Sequence, residues 1–93
     1  MAVTTRFEWD HTKAASNLRK HDVDFQTATF AFTDPNAFFE QDRVEDGEVR
    51  WKVIGMVDGD LLLLVAHTTQ EQEDVEVLRI ISARPTNRRE ETI

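Results

Sequence analysis

The chain reads as an α+β fold, with two N-terminal helices packed on a three- to four-stranded antiparallel sheet and a short C-terminal helix. Three observations predict it. Two stretches with helical spacing, each behind an aspartate, fall within residues 11–32, and the apolar period then changes to two. Three strand-like segments follow, VRWKVIGMV (49–57), LLLLVAHTT (61–69) and VEVLRIISA (75–83). The first two are joined by DGD at 58–60, a tight hairpin signal, and the last two by the acidic turn QEQED at 70–74, so neighbours run antiparallel. Helices that precede a run of strands pack on one sheet face and leave the other free for function.

In chain order, Phe7 and Trp9 alternate with Arg6 and Glu8, which predicts a short strand over Thr4–Trp9. Asp10 then offers an N-cap oxygen to a helix from His11 to about Lys20. Its expected buried stripe is Ala14, Ala15 and Leu18, with Asn17 to the side, and Asp22 closes it in left-handed geometry. Asp24 caps a second helix whose positions Phe25, Ala28, Thr29 and Phe32 fall on one face, and TDP at 33–35 stops it. A weaker strand is expected near AFFEQD (37–42), and Pro85 opens a terminal helix carrying Asn87 to Glu91.

With 93 residues the chain can build one modest core, so a single domain over 1–93 is expected. There is no Cys, which removes disulfides, zinc-thiolate sites and thiol nucleophiles together. Acids come too early in MAVTTRFEWDH for a signal peptide, and LLLLVA at 61–66 is far short of a bilayer span, so a cytoplasmic location without a membrane partner is expected. His11, His21 and His67 lack metal-ligand spacing, and no P-loop, dinucleotide fingerprint or G-x-S-x-G elbow is present; no metal and no cofactor are expected.

The net charge is −7, yet Arg79, Arg84, Arg88 and Arg89 crowd into residues 79–89. On VRWKVIGMV the alternation sends Arg50 and Lys52 to one face and Val49, Trp51 and Val53 to the other. If the apolar set lies under the helices, those cations project from the bare face, where Arg79 and Arg84 can join them. Arg84 also sits beside an expected helix N-terminus, whose free amides favour an anion. The plain alternatives are outward charges on a half-solvated sheet, a salt bridge from Arg84 to Glu71, Glu73 or Asp74, and a solvated helix face for Arg88 and Arg89. His67, late in an apolar strand, reads as a partly buried, hydrogen-bonded residue or as a proton-transfer group. A face of cations without metal ligands suits RNA cleavage by its own 2′-hydroxyl, which needs a base, an acid and cations for the phosphorus oxygens.

FEWDHTKAASNLRKHDVDF (7–25) resembles the N-terminal signature of BrnT-type toxins, in which F-x-W-D, a Lys, an Asn and K-H-x-V-x-F recur. DP at 34–35, RWKVIG at 50–55 and RIISAR at 79–84 follow in the expected order. The resemblance implies a RelE-like fold and a metal-independent ribonuclease that inhibits translation. It also implies a BrnA-type antitoxin partner, through which alone the complex meets DNA. Matched by motif, Arg84 is the first candidate for holding the scissile phosphate and Arg50 the second. Arg79, Lys52 and His67 are added to the catalytic set from face and charge; Lys20, His21, Arg88 and Arg89 are the substrate-binding candidates. The chain departs from the pattern at Asp22 and Gln70 and in containing no Tyr, which motivates the alternative of a silent module that only binds antitoxin.

Overall fold

The computed structural model describes residues 4–91, with the side chains of Arg88 and Arg89 outside the description. Five strands form one sheet: β1 (Thr4–Glu8), β2 (Phe38–Glu45), β3 (Glu48–Val57), β4 (Leu61–Gln72) and β5 (Val75–Pro85), in the spatial order β1-β5-β4-β3-β2. The helices are α1 (His11–His21), α2 (Phe25–Ala28), which continues as a 3-10 turn over Thr29–Thr33, and α3 (Arg88–Glu91). The expected antiparallel sheet of three to four strands is therefore a five-stranded mixed sheet. β2 to β5 form an antiparallel meander, and β1 adds beside β5 in parallel.

Local chemistry sets the boundaries. Asp10 accepts from the amides of Thr12 and Lys13 at 2.7 and 3.1 Å, and Asp24 accepts from Thr27 at 2.6 Å, so both predicted N-caps form. Those bonds hold the Asp10 carboxyl below the ordinary Asp range. Asp22 closes α1 with φ of 58°. Hairpins turn at Asp46-Gly47 and Asp58-Gly59, where both residues of each pair have positive φ, a conformation glycine adopts without a Cβ penalty. The Asp46-Gly47 pair makes β2 a full partner of β3, longer than the segment expected at 37–42.

The core lies between the helices and one sheet face. Phe25, Ala28 and Ala31 pack over Val53, Val65, Leu63 and Ile80, all at most 2% exposed. Fully burying a side chain of Phe25's size contributes about 1.5–3 kcal/mol. The 3-10 turn comes so close to β3 that a Cβ on Gly55 would stand 2.2 Å from the Ala31 carbonyl oxygen. Asp34, just beyond that turn, accepts from the Met56 amide at 2.8 Å and ties the turn to the strand.

The expected stripe of α1 is displaced. Ala15 and Leu18 are exposed, Ala14 is half-buried, and Asn17 is the residue the helix buries. The reason lies in the sheet edge: β1 pairs β5 only through Arg79, so the backbone beyond it has no strand on that side. Asn17 fills the gap as a peptide would. Its Oδ1 accepts from the Ala83 amide at 3.1 Å, and its Nδ2 donates to the Ala83 and Val23 carbonyls at 2.8 and 3.0 Å.

Asn17→Ala leaves those three buried groups unpaired and is expected to cost roughly 2–4 kcal/mol, read as a lower urea midpoint. Gly55→Ala forces two backbones apart and is expected to cost at least about 2 kcal/mol in the same measurement.

Candidate functional site

Cross-strand partners share a sheet face, so the register assigns every candidate on the sheet to a side. Trp51, Val53 and Gly55 pair with His67, Val65 and Leu63, and this is the helix-covered side. Arg50 and Lys52 alternate with them and point away from the helices. Thr68 and Ala66 lie on that bare side of β4, and their β5 partners there are Arg79 and Ser82, while Leu64 pairs with Arg84. Arg50, Lys52, Arg79 and Arg84 thus occupy the face turned away from α1 and α2, as the alternation on β3 predicted for the first two, and α3 reaches that face at Arg84.

They do not gather at a point. Arg50 is level with Arg79 across Thr68, whereas Arg84 is level with Leu64 and Ile54. Four residues along the strand and two strands across separate the backbones of Arg50 and Arg84 by roughly 17 Å. Each of three cations faces a carboxylate: Arg50 Nη1 to Glu45 at 3.3 Å, an acid that Arg43 also approaches at 3.6 Å, Lys52 Nζ to Glu40 at 3.2 Å, and Arg84 Nη2 to Glu90 at 2.6 Å. The Nε of Arg50 is buried without a hydrogen-bond partner. Arg79 is exposed and has no ion pair within 4 Å among the described residues.

Arg84 is held most firmly. Both Nη atoms donate to Glu90, Nη1 to Oε1 at 2.9 Å and Nη2 to Oε2 at 2.6 Å, a two-point grip between planar groups. The contact holds the Glu90 carboxyl below the ordinary Glu range and raises the Arg84 guanidinium. Glu90 also closes the head of α3: its Oε1 accepts from the Asn87 amide at 2.8 Å, while Asn87 Oδ1 accepts from the Glu90 amide at 2.9 Å. The helix N-terminus expected to offer amides to an anion has thus already capped itself. Nor is the acid partner of Arg84 any of Glu71, near the end of β4, or Glu73 and Asp74 in the β4–β5 turn.

His67 is on the other side of the sheet from the cations, so it cannot act with them. It is 3% exposed, and its Nδ1–H donates to the Val65 carbonyl at 3.2 Å, which leaves Nε2 as the bare nitrogen of the neutral ring. Burial lowers its pKa, and the Val65 bond opposes that only in part. Phe32 stands edge-on to it at 4.8 Å between centroids.

Lys20 and His21 end α1 in a groove of about 170 Å³ with Lys13, Ser16, Ile81 and Ser82. Ser82 is level with Lys52 across Ala66, so this groove continues the bare face around the free edge of β5. Arg88 and Arg89, the remaining substrate-binding candidates, have side chains outside the described residues. The carboxylates Glu40, Glu45 and Glu90 escaped sequence reasoning. Only Glu90 left a local signal, three residues after Asn87 in a capping-box spacing.

The family model for the ribonuclease toxin BrnT of type II toxin–antitoxin systems matches residues 9–90. This chain belongs to the BrnT family. No curated protein matches it. Among solved structures, the 1.1 Å crystal structure of the Brucella abortus ribonuclease toxin BrnT is similar, with a TM-score of 0.62 and 21% identity over 91% of this chain and 99% of that one. At that identity the likeness is one of fold: the α+β architecture of this chain is similar to that of BrnT. Membership of a type II system implies an antitoxin partner. No helix among the described residues is long and apolar enough to cross a membrane.

The lowered pKa of His67 makes stability depend on pH in a defined window. The unfolded ring protonates near its ordinary value of about 6.5, while the folded ring resists until lower pH. Stability is therefore full above that value and is lost as pH falls through the folded pKa. Urea midpoints are expected to drop between pH 7.5 and pH 5.5, and His67→Phe is expected to remove most of that drop.

Proposed function

We propose that this BrnT-family chain is a RelE-like, metal-independent endoribonuclease toxin. It cleaves RNA, inhibits translation and is neutralised by a BrnA-type antitoxin. The observation that carries the reading is the collection of Arg50, Lys52, Arg79 and Arg84 on one bare sheet face of a chain whose net charge is −7. The face follows the strands as a track, and Lys20 and His21 extend it past Ser82.

On this reading the 2′-hydroxyl of the substrate attacks phosphorus and the P–O5′ bond breaks. One proton leaves the 2′-oxygen and one reaches the 5′-oxygen leaving group. The transferred charge builds on the non-bridging oxygens, where guanidinium donors stabilise the transition state more than the ground state. Arg84 is the first candidate for that role because its fork already grips a planar anion at two points, and a phosphate replaces Glu90 in the same geometry. Arg50, with an unused Nε donor, is the second.

The ion pairs themselves favour one other reading. Arg50, Lys52 and Arg84 are neutralised by Glu45, Glu40 and Glu90, and His67 is walled off behind the sheet. Such a face describes a silent module that keeps the fold and the antitoxin contact without cleaving. Purified protein that leaves RNA intact while binding its antitoxin tightly selects this second reading.

For the toxin reading, Arg50→Ala with Arg84→Ala is expected to abolish growth arrest on expression and to slow RNA cleavage at least ~100-fold. Undiminished toxicity of the double variant rejects the face as the site.

A further inference from the structure

On the helix-covered side, beyond the end of the 3-10 turn, the sheet is left open over a pocket of about 420 Å³. Phe7, Phe32, Phe39, Trp51 and His67 line it. Phe32 is the hub, 5.2 Å from Phe7, 6.2 Å from Phe39 and 4.8 Å from His67 between ring centroids. Phe39 is 51% exposed, an aromatic ring that packing inside the chain leaves half in water. Phe7 and Phe32 pack against the core on their inner side, and the cation track runs on the opposite face.

The rim decides what fits. Glu76 lines the pocket, and Glu71 stands directly opposite it across β4 and β5, so two carboxylates face one another on this side. Like charges in that position repel. Among the described residues neither has a cation within 4 Å, and Glu76 has only a long contact from the Thr69 hydroxyl at 3.4 Å. The turn that follows Glu71 adds Glu73 and Asp74. An RNA base stacked on the rings would bring its phosphates against these acids. A polypeptide that presents a large apolar side chain with a Lys or Arg beside it satisfies both parts of the site: the rings take the apolar group and the carboxylates take the cation.

We propose that this acid-rimmed aromatic pocket is the docking site of the antitoxin, through an apolar anchor residue flanked by basic ones. The inference rests on the antitoxin of the reading above and not on the ribonuclease activity. It places the protein partner on one side of the sheet and the RNA track on the other. The partner's anchor fills the space beside Phe39, and its cation separates the charges of Glu71 and Glu76.

Titration calorimetry of the purified chain with the BrnA-type antitoxin of the reading above tests this. Phe39→Ser, and separately the double variant Glu71→Lys with Glu76→Lys, are each expected to weaken the dissociation constant at least tenfold. Arg50→Ala with Arg84→Ala is expected to leave it unchanged. Circular dichroism checks that each variant is folded, and the charge-reversal pair carries the test if Phe39→Ser unfolds. Parental affinity in the folded pocket variants overturns the proposal, as does loss of affinity confined to the Arg50 and Arg84 variant. A third result also overturns it: Phe39→Ser lowering affinity for a single-stranded RNA oligonucleotide while antitoxin binding is kept, which makes the pocket a base site. Retained toxicity of the Arg50 and Arg84 variant bears on the cleavage site alone.

Discussion

One irregularity in the β4–β5 ladder decides which side chains meet. Thr68 pairs with Arg79 but Ala66 pairs with Ser82, so one residue more lies on β5 than on β4 across this stretch. In an unbroken strand Arg79 and Arg84, five positions apart, would point to opposite faces. The extra residue reverses the alternation and returns both to the bare face. It equally brings Ala83 to the helix side, where Ile80 also lies, so core and cation track depend on the same step.

That dependence explains why the fold was more legible than the site. Period-two segments and aspartate caps are short-range signals, and β3, α1 and α2 stand close to where those signals put them. The parallel addition of β1 to β5 joins residues some seventy positions apart and leaves no local trace. The bulge is likewise invisible, because Arg79-Ile80-Ile81-Ser82 contains no glycine or proline to announce it. Reading Arg79 and Arg84 onto one face reached the right side without the step that puts them there.

The misreading of α1 has a different cause. Hydrophobic periodicity selects alanine and leucine for burial, and by that criterion Asn17 belongs outside. What α1 covers at that point is not an apolar surface but the raw backbone of β5, and only a side chain with both a donor and an acceptor satisfies it. The carboxylate partners were hidden for a related reason. Glu40 meets Lys52 across β2 and β3, a pairing that exists only once the register does.

The amide of Asn17 also bears on association. A strand whose outer N–H and C=O groups are unclaimed invites a strand from another molecule and so seeds fibrils. At Ala83 both groups are already bonded to a side chain of the same polypeptide, so an intruding strand finds no hydrogen bonds there to complete. Without spending a sixth strand, the molecule has insulated that stretch of its flank against self-assembly.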